Sequence, residues 1–432
     1  MVYNPDNRNR RDTMGEHAVV REGLIPTVGQ ARGVLKMARK SVPQVAKHTL
    51  TASIDRLSPP ADRDRVDLDL SDFFEETRRG YAANPHLKPL YGHLAEFVLR
   101  GGKRLRPRLC LASYRILTGR FEPPPSPVAR AAASLEVFHA FMLVHDDLID
   151  GSVLRRNRPT LHEAIRRDAE QPDDPLERKR ASDLGLIAGD LLFALGMRLL
   201  GRSGLDDATL GRANRLVADM LFETGLGEAL DVLYDDCPLQ HLTEEQIVES
   251  YLRKTARYSV SGPLVLGASI AGAPPAITRA LDRFGDLLGF GFQVQNDLDA
   301  LEEDPELGDQ PDLDAGKRTY VLWATYQGLG DRGRRKLKEV MARPVGSDRR
   351  RLLLGLIAES GAVQACQARL DTVRCEAIEV LREAPLDTVQ RRQFVALTEL
   401  FQAPQVLEAP GFIVLPIEAD GVPMPEGGMV DA

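Results

Sequence analysis

Apolar residues recurring at three- and four-residue intervals run through most of this chain, and that period commits it to helices packed on helices. The pattern is plain in "LAEFVLR", "VARAAASLEVFHAFMLVH" and "LIAGDLLFALGMRLL", and it holds from Leu70 onward. "TEEQIVESYLRKTARYSV" adds a helix start, because Thr243 is followed three residues later by Gln246, the spacing of a capping box. No stretch shows the convincing alternation of a half-buried strand. Turn-formers concentrate in "GRFEPPPSP", "QPDDP" and "EDPELGDQPDL". The expected organisation is one large all-α domain over residues 69–403. A polar, patchily basic extension (1–68), disordered or loosely helical, precedes it, and an extended tail (404–432) follows.

Composition removes several classes of function. A net charge of −7 over 432 residues gives no general reason to bind nucleic acid, so an anionic ligand must be held by local basic clusters. Cys110, Cys237, Cys366 and Cys375 are scattered without metal or disulfide spacing, which fits a reducing, cytoplasmic setting. The first residues lack an apolar signal core. The uncharged stretch 258–278 approaches spanning length, but Pro263 and the Pro274–Pro275 pair interrupt it. It reads as a helix buried on all sides, and no transmembrane segment is expected.

Chemistry concentrates in "HAFMLVHDDLIDGSVLRRNRPTLH", residues 139–162. On a helix Asp146 and Asp150 share a face, with Asp147 beside them. Three carboxylates within one turn raise each other's pKa unless a cation intervenes, and an oxygen-only donor set points to a hard ion such as Mg²⁺ carrying substrate phosphate oxygens. The plain alternative is an acidic helix end running into a basic loop. "LRGGKRLRPRLC" (99–110) offers Lys103, Arg104 and Arg106 around a Gly-Gly turn as a phosphate cradle. "RKT" (253–255) and "AGKRT" (315–319) contribute lysines that singly resemble surface lysines. A second acidic helix, "GFQVQNDLDALEED" (291–304), places Asp297 and Asp304 on one face, with Asn296, Ala300 and Asp304 forming the adjacent row. Together these elements would let metal ions bridge a diphosphate to two acidic helices while an apolar cavity holds the rest of the substrate.

In their order, "GGKRLRP", "HDDLIDGSVLRRNRPTLH", "AGDLLFALG", "GEALDV", "KTA", "GFQVQND" and "GKRTY" resemble the trans-isoprenyl diphosphate synthases over roughly residues 85–325. The resemblance implies a bundle of long, mostly antiparallel helices around a central cavity, usually as a homodimer. It implies a Mg²⁺-dependent prenyltransferase, with two or three diphosphate-bridged ions, that joins isopentenyl diphosphate to an allylic diphosphate. By that resemblance Asp146 and Asp150, with Asp147 in the same motif, and Asn296 and Asp297 on the second helix belong to the metal sites. Lys103, Arg106, His139 and Arg156 would hold isopentenyl diphosphate. Arg155, Lys254 and Lys317, with Thr255 and Gln293, would hold the allylic diphosphate. Phe141 and Met142, just before Asp146, would floor the cavity early and favour products of about C15 to C20.

The second motif departs from the family pattern, reading Asn296, Asp297 and Ala300, and Glu228 stands where the family often has Gln. Two further readings follow: a terpene synthase that cyclises one diphosphate, and a regulatory subunit lacking one metal site. A complete set of basic clusters favours elongation, because a cyclase needs no second diphosphate site.

Overall fold

The computed structural model describes residues 54–81, 84–121, 123–155, 157–301 and 316–401. Arg156, Asp304 and the tail from 404 therefore lie outside the described residues. Among the described residues fifteen α-helices dominate: α1 (Pro60–Tyr81), α2 (Leu87–Leu99), α3 (Leu105–Thr118), α4 (Ser126–Ile149), α5 (Leu161–Arg167), α6 (Pro175–Gly201), α7 (Asp207–Asp235), α8 (Glu244–Tyr251), α9 (Gly262–Ile270), α10 (Pro275–Ala300), α11 (Tyr320–Gly328), α12 (Asp331–Met341), α13 (Ser347–Ser360), α14 (Ala362–Glu383) and α15 (Thr388–Ala396). The strands described are a two-residue ribbon, Leu154–Arg155 paired antiparallel with Arg158–Pro159. A π-helix, Leu252–Ser261, joins α8 to α9 without a break. Such wide turns disturb the regular hydrogen-bond ladder and recur at functional sites.

The domain starts earlier than the sequence implied. Ile54, Leu57 and Val66 are buried in the core. Arg115, itself buried, closes a bidentate ion pair on Asp62, and Arg108 reaches back to Asp55 and the Ser58 carbonyl. Residues 54–68 thus belong to the bundle. Its buried apolar residues are few and set among charged ones, so the segment has a low mean hydropathy and passes for an extension.

Helix starts follow local chemistry. Thr243 and Gln246 complete the capping box of α8, and Asp174 and Asp206 cap α6 and α7. Glycines let neighbours approach. A side chain at Gly196 of α6 would strike the Phe138 ring of α4, and one at Gly189 would strike His145, so the two helices run antiparallel at close range. The π-helix is hemmed in the same way, by Gly227 of α7 and by Gly285 and Gly289 of α10. Residues 263–269 of α9 are all buried, as the interrupted apolar stretch implied. By length and apolarity α4 and α6 could each cross a membrane; α4 lies mostly inside the bundle, whereas α6 leaves Leu186, Ile187, Leu191 and Phe193 exposed.

Candidate active site

Three helices and one loop converge on a single knot of charge. Asp146 and Asp150 end α4, Glu228 and Asp231 lie three residues apart on α7, Lys254 sits in the π-helix, and Lys317 precedes α11. The Lys254 ammonium lies 2.6 Å from Asp231, 2.9 Å from Glu228 and 3.2 Å from Asp146. Lys317 bridges Asp150 at 2.8 Å and Asp231 at 3.3 Å. Arg155, on the ribbon, donates to Asp146 at 2.8 Å and to Asp147 at 2.7 Å. Burial would raise the Asp146 pKa, but Lys254, Arg155 and Lys317 outweigh it and hold the group below its usual value. The same partners keep Lys254 charged: burial disfavours the ammonium, and Asp231, Asp146 and Glu228 more than restore it.

Asp147 plays another part than the one its motif implied. It is fully buried and its carboxylate receives the Arg155 guanidinium, so it orients Arg155 rather than facing a metal. The turn before α3 brings a second correction. Gly101 and Arg104 both have positive φ, and this backbone rotates Arg104 inward, onto Asp67, Glu136 and the Val98 carbonyl. Arg104 is structural and not part of a phosphate cradle. Lys103 stays exposed, while Arg106 donates to Ser259 and stacks over the Tyr258 ring, 4.5 Å from its centroid. His139 also flanks Tyr258, 5.8 Å away between ring centres. Arg106 and His139 thus meet across Tyr258, one turn along the π-helix from Lys254.

On the α10 side, Gln293 accepts from Thr255 and donates to Asp297, and Asn296 is exposed. Met142 is buried, and Phe141 sits edge-on to Phe193 of α6 and to His145. Glu228, Asp231, Tyr251, Tyr258 and Ser259 were not singled out as site residues by the sequence. The available signal was helical spacing: Tyr251 and Tyr258 stand three and four residues from Lys254, and Asp231 falls inside "GEALDV".

A model of the polyprenyl synthetase family matches residues 88–351. The chain belongs to the polyprenyl synthetase family. Over 296 residues this synthetase is 28% identical to a short chain isoprenyl diphosphate synthase of Methanothermobacter thermautotrophicus, covering 66% of this chain and 83% of that protein. It is 29% identical over 308 residues to a (2E,6E)-farnesyl diphosphate synthase of Mycobacterium tuberculosis, covering 68% and 74% respectively. Among solved structures, a geranylgeranyl pyrophosphate synthase of Corynebacterium glutamicum, complexed with isoprenyl diphosphate and magnesium, superposes with a TM-score of 0.71. That protein is 27% identical, and the match covers 78% of this chain and 97% of its own.

The synthetase fits Mg²⁺ unevenly. On α4 the donors suit a hard ion: Asp146 and Asp150 are partly exposed carboxylates one turn apart, each paired with a lysine that also reaches Asp231. On α10 they do not, since Asn296 is neutral, Ala300 has no donor and Asp297 is buried.

Glu228 gives this family member a pH signature. Burial pushes its pKa up to about 7 against the pull of Lys254, with Asp146 and Asp231 adding to the rise. A carboxyl whose folded pKa exceeds its ordinary 4.5 holds its proton in the fold after the unfolded chain has lost it. Its stabilising contribution is complete below 4.5 and disappears as pH rises through about 7. Urea titrations of metal-free protein at pH 5 and pH 8 should therefore show wild type losing more stability than Glu228→Gln across that interval. Equal losses would remove Glu228 as the titrating group.

Proposed function

We propose that this chain condenses isopentenyl diphosphate with an allylic diphosphate, working with Mg²⁺, to make a short-chain trans-prenyl diphosphate. The observation that carries the reading is Lys254 and Lys317, drawn from separate elements and held by Asp146, Asp150 and Asp231 around one charged centre. Relatives named as farnesyl, geranylgeranyl and geranylfarnesyl diphosphate synthases support it and bracket the product length. Each of these is named for synthesis of a prenyl diphosphate, so cyclisation is not favoured.

In this reading Asp146 and Asp150 hold Mg²⁺, which when bound supplies Lewis-acid pull on the diphosphate oxygens. Lys254, Lys317 and Arg155 exchange their carboxylate partners for phosphate oxygens, and their fixed charge stabilises the diphosphate as the allylic C–O bond breaks. Arg106 and His139, on either side of Tyr258, hold the second diphosphate, with Lys103 at the mouth. The isopentenyl double bond then attacks the allylic carbon, and proton loss completes the product. Thr255 and Gln293 face the allylic site from the π-helix and α10.

The exposed apolar residues of α6, together with Phe222, Leu226 and Leu233 on one face of α7, suit burial against a second copy of the chain. Four free cysteines, two of them buried, fit a reducing compartment.

The test is to incubate purified protein with Mg²⁺, labelled isopentenyl diphosphate and dimethylallyl, geranyl or farnesyl diphosphate, and to measure product length. Longer diphosphates are expected. Phe141→Ala, which clears a ring beside Phe193, should lengthen the product by at least one five-carbon unit. Hydrocarbons from one diphosphate alone would instead support a cyclase. An unchanged length in Phe141→Ala would place the floor elsewhere.

A further inference from the structure

The second acidic motif holds one carboxylate whose surroundings differ from those of every other acid at the site. Asp297 is 7% exposed, and both of its oxygens accept hydrogen bonds. One receives the Tyr251 hydroxyl at 2.5 Å, the other the Gln293 amide at 3.0 Å. Each donor leads on to a diphosphate-binding segment. Gln293 accepts from Thr255, the neighbour of Lys254, at 3.2 Å. Tyr251 lies three residues before Lys254, and its oxygen accepts the backbone N–H of Tyr320 at 2.7 Å.

That last contact has a specific physical role. Tyr320 is the first residue of α11, so its N–H is among those a helix start leaves without an internal partner. The Thr319 side chain caps Leu322, leaving the Tyr320 N–H to Tyr251. Lys317 stands three residues upstream, on the backbone this bond ties down. A tyrosine hydroxyl has one proton to give and lone pairs to receive, so it can donate to Asp297 and accept from Tyr320 at once. The chain Thr255, Gln293, Asp297, Tyr251, Tyr320 therefore links α10 to both lysine-bearing segments.

The space beside Asp297 gives a divalent ion little. A cavity of about 60 Å³ there is lined by Asn296, Ala300, Thr319 and Gln293 as well as Asp297. Among the described residues an ion in it would meet one charge, already hydrogen-bonded on both oxygens, among neutral groups. Mg²⁺ gives up its waters reluctantly and seeks carboxylates together with substrate phosphates.

We propose that Asp297 is a positioning residue and not a metal ligand: through Tyr251 and Gln293 it fixes Lys254, Thr255 and Lys317 against the carboxylates of α4. The proposal rests on the diphosphate-binding reading of these lysines. Asp297→Asn keeps an acceptor for Tyr251, whereas Asp297→Ala and Tyr251→Phe each break the chain of bonds.

The experiment measures three quantities on full-length protein: bound Mn²⁺ per chain by electron paramagnetic resonance with inorganic pyrophosphate, pyrophosphate affinity, and amide exchange at Tyr320 without ligand. The Mn²⁺ count should be the same in wild type and all three variants. Pyrophosphate affinity should fall about tenfold in Asp297→Ala and Tyr251→Phe, and stay within about threefold in Asp297→Asn. The double variant should be no worse than Asp297→Ala, since the two residues act in one chain. Tyr320 exchange should quicken in the two breaking variants and not in Asp297→Asn. Loss of one Mn²⁺ in Asp297→Asn would overturn the proposal, as would unaltered Tyr320 exchange in Tyr251→Phe. Failure of wild type to bind pyrophosphate would sink the functional reading instead, while the exchange measurement still decides the network.

Discussion

Lys254→Ala is expected to abolish nearly all prenyl transfer and to turn Mg²⁺ into a stronger stabiliser of the protein than it is for wild type. Removing the ammonium leaves Asp146, Glu228 and Asp231 facing one another, each less than a quarter exposed. Breaking a buried pair by deleting one partner typically costs about 3–5 kcal/mol, and partial exposure puts this case near 3 kcal/mol. The penalty grows with pH, and Glu228, which loses the charge that lowered its pKa, gives up its proton later in the variant than in wild type. A divalent ion can take up the abandoned charge. Thermal melts at pH 8 should therefore show Mg²⁺ raising the variant's melting temperature more than wild type's. Activity should fall by about 10²–10³, the scale of losing one fixed stabiliser of developing charge. Equal Mg²⁺ shifts in the two proteins would mean that the carboxylates do not share the Lys254 ammonium in solution.

How much of this knot the sequence reveals depends on whether its members are neighbours along the chain. Asp146 and Asp150 are legible because helical geometry puts residues four apart on one face. Lys254 and Lys317 are legible only through the family resemblance, since by spacing each looks like a surface lysine until folding brings them together at Asp231 across the 62 residues between them. The choice between adjacent acids is hidden for a related reason. One residue on a helix is a rotation of about 100°, and that turns Asp147 into the core while Asp146 faces the site. Arg104 shows the limit of charge counting: a positive φ in a Gly-Gly turn reverses a side chain that composition assigns to the solvent side. In each case the missing information is a direction in space and not a residue type.

The π-helix that presents Lys254 depends on a contact no charge pattern announces, and Gly227→Ala is expected to show it. Gly227 lies on α7 just before Glu228, and a Cβ there would come within 2.6 Å of the Lys254 Cα and the Arg253 carbonyl carbon. These are backbone atoms, so no rotamer change relieves the clash and one helix must shift. Overpacking of this kind costs about 1–3 kcal/mol. The displaced segment carries Lys254, Thr255 and Tyr258 together, so binding geometry suffers with stability, and a misplacement near 1 Å can lower rate by about 10². Gly225 supplies the control, being on the same helix with open space where a Cβ would sit. Gly225→Ala should be neutral or stabilising by up to about 1 kcal/mol, as expected for Gly→Ala in a helix. Urea midpoints and single-turnover rates for the two variants separate the explanations. A Gly227→Ala protein as stable and active as Gly225→Ala would show that the close approach of α7 does not hold the π-helix in place.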